Sequence, residues 1–239
     1  MSIVTEIIRY EHGGKRFAGQ LAYDDALPQP LPLVTVSHAW SGRSAFEDDK
    51  AIALARLGYA GFSLDVYGED VLGTTREERE ALMQPLLADR AELLARLRAG
   101  VAAGAAHDKT DADNVAATGY CLGGLCALDL ARSGDNLKGV VSLHGLFMPP
   151  PGPANPIKAK VLVLHGWQDP MATPDSVVTL GEELTAAGCD WQLHGYGRAL
   201  HSFTNPAAND PASGIVYNAD AERRSTQAMT HFLAEIFQR

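Results

Sequence analysis

What this 239-residue chain lacks narrows its chemistry before any motif is read. Cysteine is scarce: Cys121, Cys126 and Cys189 are widely spread, with no C-x-x-C pair and no histidine spacing suited to zinc. A disulfide framework and a structural metal site are therefore not expected, and the pattern suits a reducing compartment. Basic charge is in deficit, with 20 Lys and Arg against 29 Asp and Glu, a net charge of −9. No basic stripe is left over for a phosphate backbone, so nucleic acid is not an expected partner. No run approaches the roughly 18 apolar residues of a membrane span, so no membrane partner is expected. The stretch MSIVTEIIRYEHGG also lacks a basic segment followed by an apolar one, so no secretory signal is expected. These absences predict a soluble, cytoplasmic protein.

What is present is a core. With 46% hydrophobic residues, the length suits one large α/β domain spanning 1–239 better than two small ones. Apolar runs with strand character alternate with segments of helical period, as in a parallel sheet joined by crossover helices. Thr5–Tyr10 and Arg16–Tyr23, split by Gly13-Gly14, predict an antiparallel lead-in hairpin. Strands are expected at Leu33–Ser37, Ala60–Leu64, Val115–Thr118, Gly139–Leu143, Val161–Leu164 and Trp191–His194. Helices are expected at Phe46–Leu57, Gly123–Arg132, Asp175–Ala187 and Ala219–Phe237, with Leu180, Leu184, Met229, Phe232, Leu233 and Ile236 at helical spacing. No internal repeat is present.

Two stretches interrupt the alternation. Thr75–Val101 is charged and mostly helical, and Pro85, which has no amide proton, should kink or divide it. Leu93, Leu94, Leu97 and Val101 form its apolar stripe, as in an ordinary crossover helix. The second stretch, MPPPGPANP at 148–156, is too rich in proline for a regular element. It follows a strand and is expected at the sheet edge where α/β ligand sites form.

The most informative segment is GYCLGG, Gly119 to Gly124. A cysteine that merely packs needs no glycines around it, whereas a nucleophile on a tight strand-to-helix turn does, because both neighbouring elements must come close. A thiol is mostly protonated at neutral pH, so a nucleophilic Cys121 calls for a base, a carboxylate that orients the base, and the positive end of a helix. Of the eight histidines, only His201 sits in a late loop, GRALHSFTNP, the one between the last strand and the last helix. The others lie in the lead-in hairpin (His12), at strand ends (His38, His144, His165), in a polar loop (His107), within a strand (His194) and in the final helix (His231). Asp169 follows the strand in VLVLHGWQDP. Nucleophile, acid and histidine at 121, 169 and 201 stand in the chain order of an α/β-hydrolase.

GYCLGG, LHGWQDP, RALHSF, SHAWSGRS and LARLGYAGFSLDVYGED together resemble the dienelactone hydrolase family, a cysteine-nucleophile branch of the α/β-hydrolase fold. The resemblance implies a mostly parallel central sheet with helices on both faces. It also implies acyl transfer: Cys121 attacks an ester or lactone carbonyl, His201 moves the proton, Asp169 fixes the imidazole tautomer, and water resolves a thioester. The backbone amides of Trp40 and Leu122 are the expected oxyanion donors. Tyr67, Trp167 and Phe203 are candidates for the pocket lining or, equally, for the core. Cys126 and Cys189 are read as packing residues. The expected partner is a small ester, lactone or thioester, and the mechanism needs no metal and no organic cofactor; nothing in the sequence fixes an oligomeric state. The same triad would serve a thioesterase or an acyltransferase, and a non-catalytic α/β scaffold is the alternative from another class. Two positions depart from the family pattern. Ala39 stands where many members carry a glutamate beside the thiol, and Thr204-Asn205 stand where members acting on dienelactone carry a substrate-binding arginine.

Overall fold

The computed structural model describes residues 2–152 and 155–238. By contacts the chain forms two compact units, 1–118 and 119–239. In the first unit, β1 (Ile3–His12) and β2 (Lys15–Asp24) form the expected hairpin, paired antiparallel from Ile3↔Asp24 to His12↔Lys15. β2 then pairs antiparallel with β4 (Ala60–Leu64), and β4 pairs parallel with β3 (Leu31–Ser37), giving the order β1-β2-β4-β3-β5 with β5 at Thr110–Tyr120. All five residues of β4 are buried. A parallel strand covered on both faces reads as a continuous apolar run, which is why AGFSL shows no alternation. Helix α1 (Ala45–Arg56) opens on a capping box, in which the Ser44 side chain and the Glu47 side chain each satisfy the other's backbone.

The charged excursion is two helices, α2 (Arg76–Ala88) and α3 (Arg90–Ala105). The division falls at Asp89 and not at Pro85, which α2 carries in its last turn. A proline there frees a single carbonyl, whereas Asp89 does two jobs: its amide donates to Pro85 O, and its side chain accepts from the Glu92 amide to cap α3. Leu93 and Leu97 are fully buried, as the stripe predicts.

The second unit holds α4 (Leu122–Arg132), β6 (Gly139–Leu143), β7 (Lys160–Gly166), α5 (Pro174–Ala186), β8 (Trp191–Tyr196) and α6 (Ala219–Ile236). β6, β7 and β8 are parallel neighbours, in register from Gly139↔Lys160 and Val161↔Trp191. Every residue of α4 is buried, Asp129 and Arg132 included. The amphipathic α6 instead buries Met229, Phe232, Leu233 and Ile236 along one stripe.

Among the described residues, the β6-to-β7 crossover has no helix. The proline-dense segment makes that passage, apart from Pro153 and Ala154, which lie outside the described residues. It therefore leaves the sheet edge where it was expected to stay: buried Arg132, in the last turn of α4, donates to Phe147 O at 2.8 Å and Met148 O at 3.3 Å. That turn is about 15 Å along the helix axis from Leu122. Glu183 and Asp129 compensate the arginine's charge at 2.7 and 3.4 Å.

Candidate active site

β5 runs into a sharp turn at Cys121, whose φ of 57° and ψ of −114° lie where non-glycine residues are strained by about 1–3 kcal/mol. The turn is over-determined by its surroundings. Cys121 N donates to Leu143 O of β6 at 3.1 Å, and Cys121 O accepts from Gly124 N at 3.0 Å. The glycines answer to close approach. A Cβ on Gly119 would stand 1.9 Å from Gly123 O, and one on Gly124 would stand 2.6 Å from the Gly145 Cα. Leu122 supplies the first amide of α4, a position with no acceptor inside its own helix, so the N–H is available at the positive end of the helix. Cys126 is fully buried in α4, and Cys189 lies near the carbonyl of Ala159 with its thiol pKa raised by burial to about 11. Both are packing residues in this setting.

Asp169 sits in the turn after β7, its amide on Gly166 O at 3.0 Å. Its two carboxylate oxygens have separate partners: Oδ1 accepts from the Met171 amide at 2.8 Å, and Oδ2 meets His201 Nδ1 at 2.7 Å. A carboxylate only accepts, so Nδ1 of His201 carries a proton and Nε2 is the ring nitrogen turned away from Asp169. His201 is held through its backbone, with its N–H on Gly214 O at 2.9 Å and its carbonyl accepting from Val216 N at 3.0 Å. These tethers belong to a small motif after the histidine that short-range periodicity did not reveal: β9 (Asn209–Asp210), a 3-10 turn at Pro211–Ser213 and β10 (Ile215–Val216). Burial opposes a charged imidazole here. The negative charge of Cys121 and the hydrogen bond to Asp169 outweigh it and raise the His201 pKa from 6.5 to about 10, while Nε2 has no hydrogen-bond partner among the described residues. The second unit therefore brings Cys121, His201 and Asp169 together.

Around them lie Phe203 and Trp167, the sequence's candidates for pocket lining or core, and three residues that sequence reasoning left unassigned, His144, Thr204 and His165. His144, just past β6, is hydrogen-bonded through Nε2 to Thr204 Oγ1 at 2.8 Å, and its ring stands edge-on to His201, with centroids 5.3 Å apart. Phe203 has no exposed surface and packs on His144, Tyr196, Ala199 and Ala221. Thr204, where an arginine was sought, is likewise buried. His165, at the end of β7, is fully buried beside Phe147, and burial lowers its pKa. Trp167 is 45% exposed, its indole against Gly195. The available signal for His144 was its place at the C-terminal end of a parallel strand.

Trp40 and Tyr67 belong to the first unit. Asp65 accepts from the amides of Tyr67 and Gly68, Tyr67 donates its hydroxyl to Trp40 O at 3.0 Å, and the Arg79 guanidinium lies 5.5 Å from the centre of the Trp40 ring. His38 accepts from the Val66 amide at 3.2 Å. The Ala39 amide donates to Oε1 of the buried Glu47 at 3.2 Å.

The class is defined by these features together with the family match. The model of the dienelactone hydrolase family matches residues 17–237. The chain belongs to that family and is a hydrolase of ester or lactone type with the α/β-hydrolase fold. Two solved structures are similar over 99% of both chains with a TM-score of 0.95: m3DLH, 34% identical, and P91, 32% identical, described as a dienelactone hydrolase-like promiscuous phosphotriesterase from metagenomic libraries. An uncharacterized Caenorhabditis elegans protein is 38% identical over 133 residues, 53% of this chain and 83% of its own length. A Yersinia pestis protein provisionally named carboxymethylenebutenolidase is 27% identical over 202 residues, 80% of this chain and 75% of its own length. Among the described residues, no helix is long and apolar enough to cross a membrane.

Proposed function

We propose that the protein hydrolyses carboxylic esters or lactones through a Cys121–His201–Asp169 triad and a thioester acyl-enzyme. With the Cys121 proton held on His201 Nε2, Sγ adds to the carbonyl carbon, and the Leu122 N–H receives the developing oxyanion. Collapse breaks the C–O bond, and the imidazolium returns its proton to the departing alkoxide. His201 then deprotonates water, which attacks the thioester. The second collapse expels the Cys121 thiolate and releases the carboxylic acid. Asp169 keeps Nδ1 protonated throughout, so every proton exchanged with the substrate, water or Cys121 passes through Nε2. The observation that carries the reading is the 2.7 Å bond from His201 to Asp169 beside a cysteine whose charge acts on the same imidazole.

Substrate preference follows from what replaces the family's arginine. Thr204 is buried and engaged with His144, so it offers no cation to a substrate carboxylate. Neutral esters and lactones are favoured over anionic ones, in a cytoplasmic setting. The test is a panel of p-nitrophenyl esters of increasing chain length, simple lactones, dienelactone and acyl thioesters, run on wild type and Cys121→Ala. Phosphotriesters join the panel because P91 is described as a promiscuous phosphotriesterase. Loss of all ester turnover in the alanine variant supports the reading, and full retention overturns it. Added amine or alcohol acceptors separate a hydrolase from an acyltransferase.

A further inference from the structure

One buried imidazole beside the triad has no role in the steps above. His144 is 2% exposed, carries a φ of 37°, donates its backbone N–H to Leu164 O of β7 at 2.8 Å, and is hydrogen-bonded through its ring to Thr204. Its ring contacts His201 at 5.3 Å, Phe203 at 5.2 Å and Tyr120 at 5.9 Å. Strain is concentrated here. Of the described non-glycine residues at positive φ, which are Asp70, Cys121, His144, Ser202 and Gln238, three lie in this cluster. Residues persist in such conformations where the surroundings hold them, and they gather at functional sites.

We propose that His144 is a positioning residue for His201. The backbone bonds to Gly214 and Val216 fix the main chain at His201 but leave its ring free to turn. Asp169 holds one edge of that ring. His144 supplies the remaining restraint through its bond to Thr204, which ties down the segment 201–204; the edge-on ring contact alone, which phenylalanine would keep, is not sufficient. Nε2 then stays aimed for proton transfer with Cys121, where displacement by about 1 Å can lower a rate by as much as 10²-fold. The proposal rests on the triad reading.

The discriminating variant removes both partners of the buried bond. His144→Phe or Thr204→Val alone strands a buried polar group and lowers stability, but replacing both by apolar groups of similar shape is nearly neutral for folding. The double variant His144→Phe/Thr204→Val is expected to melt within about 4 °C of wild type. Its KM should stay within about threefold while kcat falls about 10- to 100-fold. Thr204→Ser, which keeps the hydroxyl, should recover wild-type kcat. A double variant with wild-type kcat overturns the proposal, because the bond would then only satisfy buried groups. If the double variant melts early, Thr204→Val and Thr204→Ser decide: a kcat loss confined to valine supports the proposal, and wild-type kcat in both overturns it. His201→Gln, measured alongside, tells the two readings apart. If it keeps full turnover, triad and positioning role fall together; if it is inactive, only the result of the double variant bears on His144.

Discussion

Two helices in this chain begin just after a buried strand, and they begin in opposite ways. α1 starts from Ser44 in relaxed, extended backbone (φ −136°), with a reciprocal capping box that closes its end. α4 starts from Cys121 at φ 57°, with no side-chain cap. The first end is built for stability: Glu47 accepts from Ala39 N, Ser44 N and Ser44 Oγ, so donors and carboxylate satisfy one another. The second leaves its leading amide available and Cys121, the proposed nucleophile, strained, which lowers folding stability and would suit acyl transfer. The same local geometry, a strand feeding a helix, is thus spent once on the fold and once on chemistry.

Four experiments sharpen or break that contrast. The largest effect is expected for Asp169→Asn, which removes the acceptor from His201 Nδ1 and lets the wrong tautomer form; kcat should fall about 10⁴-fold while the circular dichroism spectrum is retained. Next is a titration. Because Cys121 charge raises the His201 pKa, Cys121→Ser should lower it relative to wild type, both read from imidazole nitrogen shifts by NMR. The sign for stability follows. A raised pKa stabilises the fold fully below the ordinary 6.5, and this contribution fades as pH climbs towards about 10. In Cys121→Ser that loss should begin at the same pH, end at a lower one and be smaller in total. Third, Cys121→Gly should be more stable than Cys121→Ala by about 1–2 kcal/mol in denaturant unfolding, since only glycine is at ease at this φ and ψ. Equal stability would remove the strain argument. The smallest effect is Ser44→Ala, which should lower stability by about 1 kcal/mol and leave kcat unchanged.

Much of this molecule was readable in advance, for identifiable reasons. Buried parallel strands such as Ala60–Leu64 and Gly139–Leu143 appear at their expected bounds because burial on both faces favours a run of small and apolar residues, interrupted here only by Ser63 and Ser142. The turn at Cys121 was legible because Gly119 and Gly124 answer to contacts only a few residues away or at the next strand end. The break between α2 and α3 was misplaced because proline was weighed above the capping ability of Asp89. The two-residue strands β9 and β10 are too short for any period to register. The bond between His144 and Thr204 joins residues 60 apart in the chain, and nothing local announces it. The resemblance to dienelactone hydrolases drew attention to position 204 as a missing arginine, and the structure gives that position a buried partner instead.

The central claim is that the acyl group passes through Cys121. Mixing wild type with p-nitrophenyl acetate, quenching in acid during turnover and mapping the digest by mass spectrometry tests it directly. The account predicts an acetyl group on the peptide containing Cys121, removed by neutral hydroxylamine and absent from Cys121→Ala. Continued turnover with Cys121 unmodified, or with the acetyl group on another residue, would contradict it.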